Sequence, residues 1–410
     1  MNDRRKAYLF FAATTLFFMA ASFAHPVTPT IIKDRGFGDH VFGVALAAML
    51  TTNFLFSPFW GKLISSLSSR RVMLICSLGY ATGQAMFGLA TTETALILAR
   101  MFAGLFTGGV FTAFLTYVIN TADDDLRGSY LAVSATISTV ASAFGFFIGG
   151  MLGEIGVSFA MVAQVVVLGG CGFLLYLICV DDTSVDIRTI RAGQLIREAN
   201  PIASFTAGRK GMTPVLLALL AAYALANLGG TAFDQSFNYY MKAQLGLSSG
   251  YNGAVKGVIG LVSLIANSTV GLWLINKTDI RRSVIVVYLI CSTAILGVVL
   301  LEAVVPLVAV NILYFAVMAV SIPLTQNLVA EHARQAGDSN LTMGFFNGVR
   351  SLGGIAGSLA AGLLYSVGPK LPFVLGLAAF VLATAMAAVY YRRCRALAAP
   401  SNTDALLEQS

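Results

Sequence analysis

The chain has 410 residues, of which 57% are hydrophobic and only 11% are charged, and its mean hydropathy is +0.80. Soluble domains carry about 25% charged residues, so this composition excludes an ordinary soluble protein. The net charge of +7 could indicate nucleic-acid binding, but the positions of the basic residues explain it without nucleic acid.

Twelve apolar segments follow one another along the chain, and each is long enough to cross a bilayer, which takes about 20 helical residues. Helices suit them because a helix satisfies its own backbone hydrogen bonds in lipid. The first run is too long for a signal-peptide core of about 7–15 residues, so we expect it to be retained. The predicted spans are 7–32, 41–61, 72–91, 94–119, 129–153, 157–180, 213–240, 251–275, 283–303, 306–329, 341–366 and 371–391.

One polar stretch, residues 181–212, separates six spans from the other six and is predicted to be a cytoplasmic linker. It divides the chain into an N-terminal half, residues 1–180, and a C-terminal half, residues 213–395. The short polar tail, residues 396–410, is predicted to be a disordered cytoplasmic segment.

The basic residues give the protein an orientation. If the N-terminus lies in the cytoplasm, 19 of the 26 Lys and Arg residues fall on the cytoplasmic side. Outside lie only Lys33, Arg35, Lys242 and Lys370. Such an asymmetry predicts cytoplasmic termini, and the basic face matches anionic lipid headgroups. We therefore predict a multi-pass protein of the cytoplasmic (inner) membrane of a bacterium.

The loop after the second span carries Gly61, Leu63 and Arg70. It resembles the loop signature of the major facilitator superfamily, Gly-x-Leu-x-Asp-Arg-x-Gly-Arg-Arg. Ser65 stands where the signature has Asp, and Ser68 where it has its second Gly. In the family this Asp belongs to a charge cluster that holds one conformation closed, so the resemblance does not extend to that latch.

Two further segments resemble signatures of the same family. In the fourth span, Arg100 is followed by Gly104 and Gly108, similar to an Arg-x-x-x-Gly motif. In the fifth span, Gly145, Gly149 and Gly150 resemble the Gly-Pro-x-x-Gly-Gly motif of its drug:proton antiporters, with Phe146 in place of Pro. Glycines permit close contact between helices because they lack a Cβ.

The resemblance implies an all-α integral membrane protein. Its twelve transmembrane helices would form two six-helix bundles around a central cavity and rock between inward-open and outward-open states. By the logic of parallel repeats, the first, fourth, seventh and tenth spans would line the cavity.

Charged residues inside spans are functional candidates, because burying a charge in a bilayer is costly. His25, Arg100, Asp234 and Lys256 all fall in the outer half, and Arg350 is expected roughly 15 Å deep from the cytoplasmic side at 1.5 Å per helical residue. Asp234 is the candidate for proton coupling, with Lys256 as a possible partner, although the pair could instead be a static tie between the seventh and eighth spans. Glu154 and Glu302, at span ends, are expected to be solvated.

The other charged candidates also have two interpretations. His25 could relay protons or, with Pro26, mark a helix break. Arg100 could bind an anionic substrate or couple to proton movement, and Arg350 could bind substrate or tie the eleventh span to its neighbours. The polar candidates for the cavity wall are Asn227, Gln235, Asn238, Tyr239, Tyr314 and Gln326.

Neither a catalytic constellation nor a phosphate-binding loop is visible, so no enzyme activity, metal or cofactor is expected. Two functions remain: proton-coupled efflux of a small amphipathic compound, or export or uptake of an anionic metabolite such as a siderophore, metallophore, sugar acid or organic acid. A non-transporting membrane sensor is a remote alternative, because residues 181–212 are too few for a folded cytoplasmic domain. A monomer in the bilayer, with a small-molecule substrate and a proton as coupling ion, is expected.

Overall fold

The computed structural model describes residues 4–183, 213–336 and 339–398, and these ranges are almost entirely helical. In chain order, the first half contains α1 Arg4–Ala21, α2 Ala24–Asp34, α3 Val41–Leu67, α4 Ser69–Leu89, α5 Glu93–Thr121, α6 Asp124–Ile155 and α7 Val157–Ile178. The second half contains α8 Pro214–Ala243, α9 Ser249–Ala266, a π-helical turn Asn267–Gly271, α10 Leu272–Lys277, α11 Ile280–Leu300, α12 Val304–Ala336, α13 Ser339–Val367 and α14 Leu371–Ala398.

These helices account for the twelve predicted spans. Eleven described segments are long and apolar enough to cross a membrane, with α1 and α2 counted together and α9 and α10 counted with the turn between them. The remaining span is α13, which is equally long but contains Arg350, several serines and six glycines, and these lower its hydropathy. The predicted fold class, an all-α membrane protein with twelve spanning segments, is confirmed.

The first span is not the single helix that the sequence predicts, because it is interrupted at Ser22 and Phe23. A proline has no N–H to donate and clashes with the carbonyl four residues earlier. Pro26 therefore excludes a helical bond to Ser22, whose carbonyl oxygen accepts instead from the N–H of His25 at 3.3 Å. The carbonyl of Ala21 is left for two other helices and accepts from Gln164 Nε2 at 3.1 Å and from Tyr80 Oη at 3.4 Å.

Two large apolar cores define the two bundles. One is built from buried side chains between Phe10 and Cys179, the other from buried side chains between Val215 and Cys394. A third, smaller core takes side chains from both halves, including Phe42 and Tyr239. The predicted domain limits stay predictions: residues 184–212 and 399–410 lie outside the described ranges, and α14 continues helically to Ala398, past the predicted start of the tail.

The halves meet along two helix pairs, α6 with α9 and α3 with α13. We call the face on which α1 begins and α14 ends the terminal face, and the opposite face the far face. Glycines let the backbones touch near the far face: a Cβ at Gly253 would lie 2.6 Å from the Phe146 carbonyl oxygen, and one at Gly362 would lie 3.0 Å from Gly43 Cα. Side chains at these positions would hold the bundles apart.

Polar contacts between the halves surround these glycine contacts. Tyr239 Oη donates to Asp39 Oδ1 at 2.6 Å, and Lys33 Nζ lies 2.8 Å from the same oxygen. Four more hydrogen bonds join the halves within the described residues: Thr30 with Ser249 at 3.0 Å, Ser358 Oγ with Gly43 O at 3.0 Å, Asn238 Nδ2 with the His25 carbonyl oxygen at 3.3 Å, and the Gly250 N–H with Glu154 Oε1. All of them lie in the far half, so the far face is closed in this state.

Enlarging a glycine at the contact between α6 and α9 should open the far face. In Gly253→Val the side chain would meet backbone atoms of α6, and overpacking of this kind costs typically about 1–3 kcal/mol. We expect a cysteine introduced by Ala45→Cys, in the enclosed far half, to react faster with a membrane-impermeant maleimide applied to the far face. The five native cysteines are buried and give a low background.

Gly170→Val is the matched control, because a Cβ at Gly170 would have nothing within 4 Å. It should leave the labelling rate unchanged. Equal rates in the two valine variants would contradict a role for Gly253 in closure.

The closed far face should also depend on pH through Asp39, which lies outside the spans. Partial burial raises the pKa of Asp39, but hydrogen bonds from Lys33 and Tyr239 outweigh it and hold the pKa below the ordinary 3.8. A carboxylate with a lowered pKa stabilises the folded protein above its ordinary pKa, and that contribution is lost as the pH falls through the lowered value. We expect the Tm between pH 6 and pH 3 to fall less steeply in Asp39→Asn than in the wild type. Asp34→Asn, an exposed carboxylate on the same face, should retain the wild-type slope; an unchanged slope in Asp39→Asn would contradict the assignment.

Candidate functional site

Polar side chains from four helices converge in the far half, between the two bundles. The predicted residues brought together are His25 on α2, Arg100 on α5, Asp234, Gln235, Asn238 and Tyr239 on α8, and Lys256 on α9. A narrow cavity lies among them, lined on its polar side by His25, Thr28, Arg100, Gln235 and Asn238. Its apolar wall comes from Ile32, Phe42, Leu46 and Leu96.

Asp234 and Lys256 form an ion pair between α8 and α9. Lys256 is enclosed, with its side chain 8% exposed and its Nζ 4.4 Å from the ring centroid of Phe315. Asp234 is 34% exposed, and Gln235 Nε2 donates to its second oxygen at 3.4 Å. The pair that the sequence suggested as possible is therefore formed, and its carboxylate is the more accessible member.

His25 lies in the first turn of α2, directly after the break in the first span. Its ring stacks on Phe146 of α6 with the centroids 5.0 Å apart, and it interacts electrostatically with Arg100, Asp234 and Lys256. Pro29 cannot donate to the His25 carbonyl, and Asn238 Nδ2 donates to that oxygen from the other half at 3.3 Å. His25 thus both marks a helix break and lies among the buried charges.

Arg100 is almost fully buried, at 5% exposure. Its Nη2 donates to Thr28 Oγ1 at 3.2 Å, its Nη1 lies 3.8 Å from Met49 Sδ, and its guanidinium lies 3.8 Å from the ring centroid of Phe87. Tyr239, which also lines the cavity, is fully buried, and its ring stacks on Phe42 at 4.6 Å. Because its hydroxyl binds Asp39, Tyr239 belongs to the closed far face as well as to the cavity wall.

Four predicted site residues lie outside both the cavity wall and the ion pair, although Tyr314 interacts electrostatically with Asp234. Arg350 is exposed on α13 and interacts electrostatically with Tyr223, not with the buried charges. Asn227 donates to the Tyr223 carbonyl at 2.8 Å, and Gln326 is exposed on α12. Tyr314 is wholly buried inside the second bundle, 4.3 Å from the Phe233 ring centroid. Their roles in substrate binding stay predictions.

The glycines of the fourth and fifth spans lie at helix contacts. A Cβ at Gly104 would meet α3 at Met49 and Thr52, and one at Gly108 would meet Ser57. On α6, Gly145 and Gly149 face the carbonyls of Met19 and Phe23 in the first span, and Gly150 faces Ser249 and Gly253 on α9. Gly61 differs: it is exposed, and a Cβ there would have only Thr112 Cγ2 within 4 Å, at 3.9 Å.

The basic loop between α3 and α4 pairs with acidic residues from the segment just after α7. Arg70 Nε lies 3.1 Å from Asp181 Oδ1, and its guanidinium lies 4.9 Å from the ring centroid of Tyr176. Asp182 accepts from the backbone N–H of Ser69 at 2.7 Å and from Asn120 Nδ2 at 2.9 Å. Asp181 and Asp182, just after α7, thus supply the negative charge that the loop lacks at Ser65.

Ser68 occupies the position at which the signature has its second glycine. Its φ of 69° lies in the left-handed region that favours glycine. The Ser68 hydroxyl donates to Asp181 Oδ1 at 2.6 Å, so the serine gains a hydrogen bond that glycine could not make. Ser68 thus adopts a backbone conformation that glycine would adopt without strain.

Four residues of the far half were missing from the sequence-based site: Thr28, Asp39, Phe87 and Glu154. Thr28 could have been found, because it lies one turn after His25 on the same helix. Glu154 is exposed, as expected, and its carboxylate also accepts from the N–H of Gly250 at the start of α9. Phe87 and Asp39 have no sequence signal for the site, because Phe87 meets Arg100 from another helix and Asp39 meets Tyr239 from the other half, although Lys33 is near Asp39 in sequence.

The comparison with known protein families gives one match over most of the chain: the family described as Major Facilitator Superfamily matches residues 10–340. This agrees with the predicted resemblance, and with the prediction that the chain is not an enzyme.

Individual relatives are distant. Multidrug resistance protein 1 of Bacillus subtilis (strain 168) is 23% identical over 90% of this chain and 93% of its own length. Efflux pump DEP3 of Alternaria brassicicola is 29% identical over 35% of this chain, and the match spans about a quarter (25%) of that pump's length. The Staphyloferrin B transporter of Staphylococcus aureus (strain NCTC 8325 / PS 47) is 34% identical over 28% of this chain and 27% of its own length.

Solved structures share the fold. A bacterial homolog to the human lysosomal transporter Spinster, in an inward-facing and unoccupied conformation, superposes with a TM-score of 0.74 at 12% identity, covering 95% of this chain and 97% of its own. The human organic anion transporter MFSD10 has a TM-score of 0.66 at 20% identity, covering 94% and 99%. At these identities the likeness concerns the fold alone, including its two bundles.

Removing one member of the ion pair should cost more than removing both. Asp234→Asn leaves the enclosed Lys256 without its anion, and an unpaired buried charge costs about 3–5 kcal/mol. Lys256→Met leaves the more exposed Asp234, which water can still reach, so its cost should be smaller. We expect the double variant to unfold closer to the wild type than Asp234→Asn does, as measured by the free energy of unfolding in detergent. Additive costs in this double-mutant cycle would contradict a stabilising pair.

Proposed function

The chain belongs to the Major Facilitator Superfamily, and on that premise we propose that the protein is a secondary transporter that exports a small amphipathic compound in exchange for protons. The observation that carries the proton coupling is the ion pair of Asp234 with Lys256. Among the described carboxylates, Asp234 lies farthest from a helix end, and it interacts electrostatically with His25 of the first half. Two of the relatives, an efflux pump and a multidrug resistance protein, support export.

Proton binding to Asp234 changes the net charge of the ion pair, which lies beside the boundary between the halves. When Asp234 takes up a proton, Lys256 loses its counter-ion and becomes an unpaired buried cation, which is unfavourable. His25, from the first half, interacts with both members of the pair, so the change acts across the surface along which the bundles move. The protonated and deprotonated forms therefore favour different arrangements of the two halves.

The lining of the cavity is amphipathic, and a substrate can occupy the site once the halves move apart, because the space enclosed in this closed state is only about 20 Å³. One wall presents hydrogen-bonding groups of Gln235 and Asn238, and the other presents Ile32, Phe42 and Leu46. Such a combination of an apolar surface with a few placed polar groups is usual for small-molecule sites.

The proposal includes an orientation and an assembly. The basic residues favour a protein of the bacterial inner membrane with the terminal face in the cytoplasm. The closed far face is then the external one, and the state described here is closed to the outside. The small-molecule site is formed within one chain, so a monomer suffices for transport.

Transport in liposomes tests the coupling. The purified protein is reconstituted in vesicles with an acidic interior, and uptake of ethidium, 2-naphthalenesulfonate and 2-naphthalenesulfonamide is followed together with the internal pH. We expect at least one probe to accumulate as protons leave, and Asp234→Asn to abolish both movements because its side chain does not ionise.

Glu302→Gln removes an exposed carboxylate at the far face and should retain transport. Uncoupled or absent probe movement in the wild type would contradict proton-coupled transport. Unchanged accumulation in Asp234→Asn would exclude Asp234 as the coupling carboxylate.

A further inference from the structure

The charge of Arg100 has no counter-ion among the residues that the structure describes. Its partners are the Thr28 hydroxyl, the Met49 sulfur and the Phe87 ring, and all three are uncharged. Asp234, the carboxylate of the same cluster, is paired with Lys256. The cluster therefore holds two cations and one anion, with His25 as an additional group that can become positive but never negative.

The uncharged partners do not offset the burial of this cation. A guanidinium on an aromatic face gains some stabilisation when desolvated, but this gain is smaller than the effective penalty for burying a charge. A guanidinium also has five N–H donors, whereas the hydroxyl of Thr28 and the sulfur of Met49 engage only two of its nitrogens. The remaining donors are available to a ligand in the cavity that Arg100 lines.

The groups around the remaining donors can also donate. Gln235 and Asn238 line the same cavity from the opposite bundle with carboxamide side chains, and His25 lies beside them. A planar guanidinium with neighbouring N–H groups matches the oxygens of a carboxylate or sulfonate, which it can bind through two parallel hydrogen bonds. The apolar wall of Ile32, Phe42 and Leu46 then faces the rest of the ligand.

We propose that Arg100 is the binding site for the anionic group of the transported compound, which is an amphipathic organic anion with its apolar part against Ile32, Phe42 and Leu46. The inference rests on the proposed transport function and specifies the substrate class of the same site. Binding of one anion neutralises the excess positive charge of the cluster, so the cavity is most stable when the substrate occupies it.

The site also draws on both halves. Arg100 and Thr28 belong to the first bundle, and Gln235 and Asn238 belong to the second. An anion held between them adds contacts across the boundary, so its binding strengthens the association of the halves at the far face. A neutral analogue of the same shape lacks the strong interaction with the guanidinium and has little such effect.

Binding to the purified protein tests this without any gradient. The shift in Tm is measured with acetate, benzoate and 2-naphthalenesulfonate, and with their neutral counterparts acetamide, benzamide and 2-naphthalenesulfonamide. We expect benzoate and 2-naphthalenesulfonate to raise the Tm, acetate to raise it less because it lacks an apolar part, and the neutral compounds to leave it unchanged.

Variants assign the effect to Arg100. Arg100→Gln should abolish the shift, and Arg100→Lys, which keeps the charge and is the second variant if Arg100→Gln does not fold, should weaken it without abolishing it. Arg282→Gln, at an exposed arginine on α11, is the matched control and should retain the full shift.

Two outcomes overturn the proposal: no anion gives a larger shift than its neutral counterpart, or the shift persists undiminished in both Arg100 variants. These results are separable from failure of the proposed function. If ethidium is exchanged for protons in liposomes but no anion binds, the proposed transport function stands and the anion site is refuted. If anions bind through Arg100 but no protons move, the anion site stands and proton-coupled transport is refuted.

Discussion

Direct backbone contact between the two bundles is the constraint on which the far half of the protein depends. Gly150 with Gly253 and Gly43 with Gly362 bring four helices closer than any side chain would allow. This proximity is what places Tyr239 within reach of Asp39, and Asn238 within reach of the His25 carbonyl. The cavity with its buried charges exists because helices of both halves are held at this distance.

The charges of the far half matter energetically because they are enclosed between helices. In water, an ion pair such as Asp234 with Lys256 would contribute little, and Arg100 would be hydrated. Between packed helices, each charge needs a specific partner. Lys256 has such a partner in the carboxylate of Asp234 on the neighbouring helix, whereas the partners of Arg100 are uncharged. The two cations are therefore not equivalent, and this difference is the basis for proposing proton coupling at the ion pair and substrate recognition at Arg100.

The sequence predicted the spans and the converging charges well, because length, hydropathy and the cost of intramembrane charge depend on composition alone. It did not predict how each helix is rotated. Most spans are apolar on every side, so no periodicity indicates that Tyr314 faces the interior of its bundle or that Arg350 faces away from the cluster. The proline residues were visible, but the carbonyls that they free acquire partners such as Gln164 and Asn238 only in three dimensions.

Ser68 has a consequence for the connection between the bundles. This residue holds a backbone conformation that is unfavourable without glycine, and its hydroxyl binds Asp181, where the chain leaves the first bundle. Thr183 Oγ1 adds a bond to the Ile64 carbonyl at 3.3 Å. The departure point is thereby fastened to the loop between α3 and α4. Any rearrangement of Asp181 or Thr183 therefore releases the contacts that hold this turn in its unfavourable conformation.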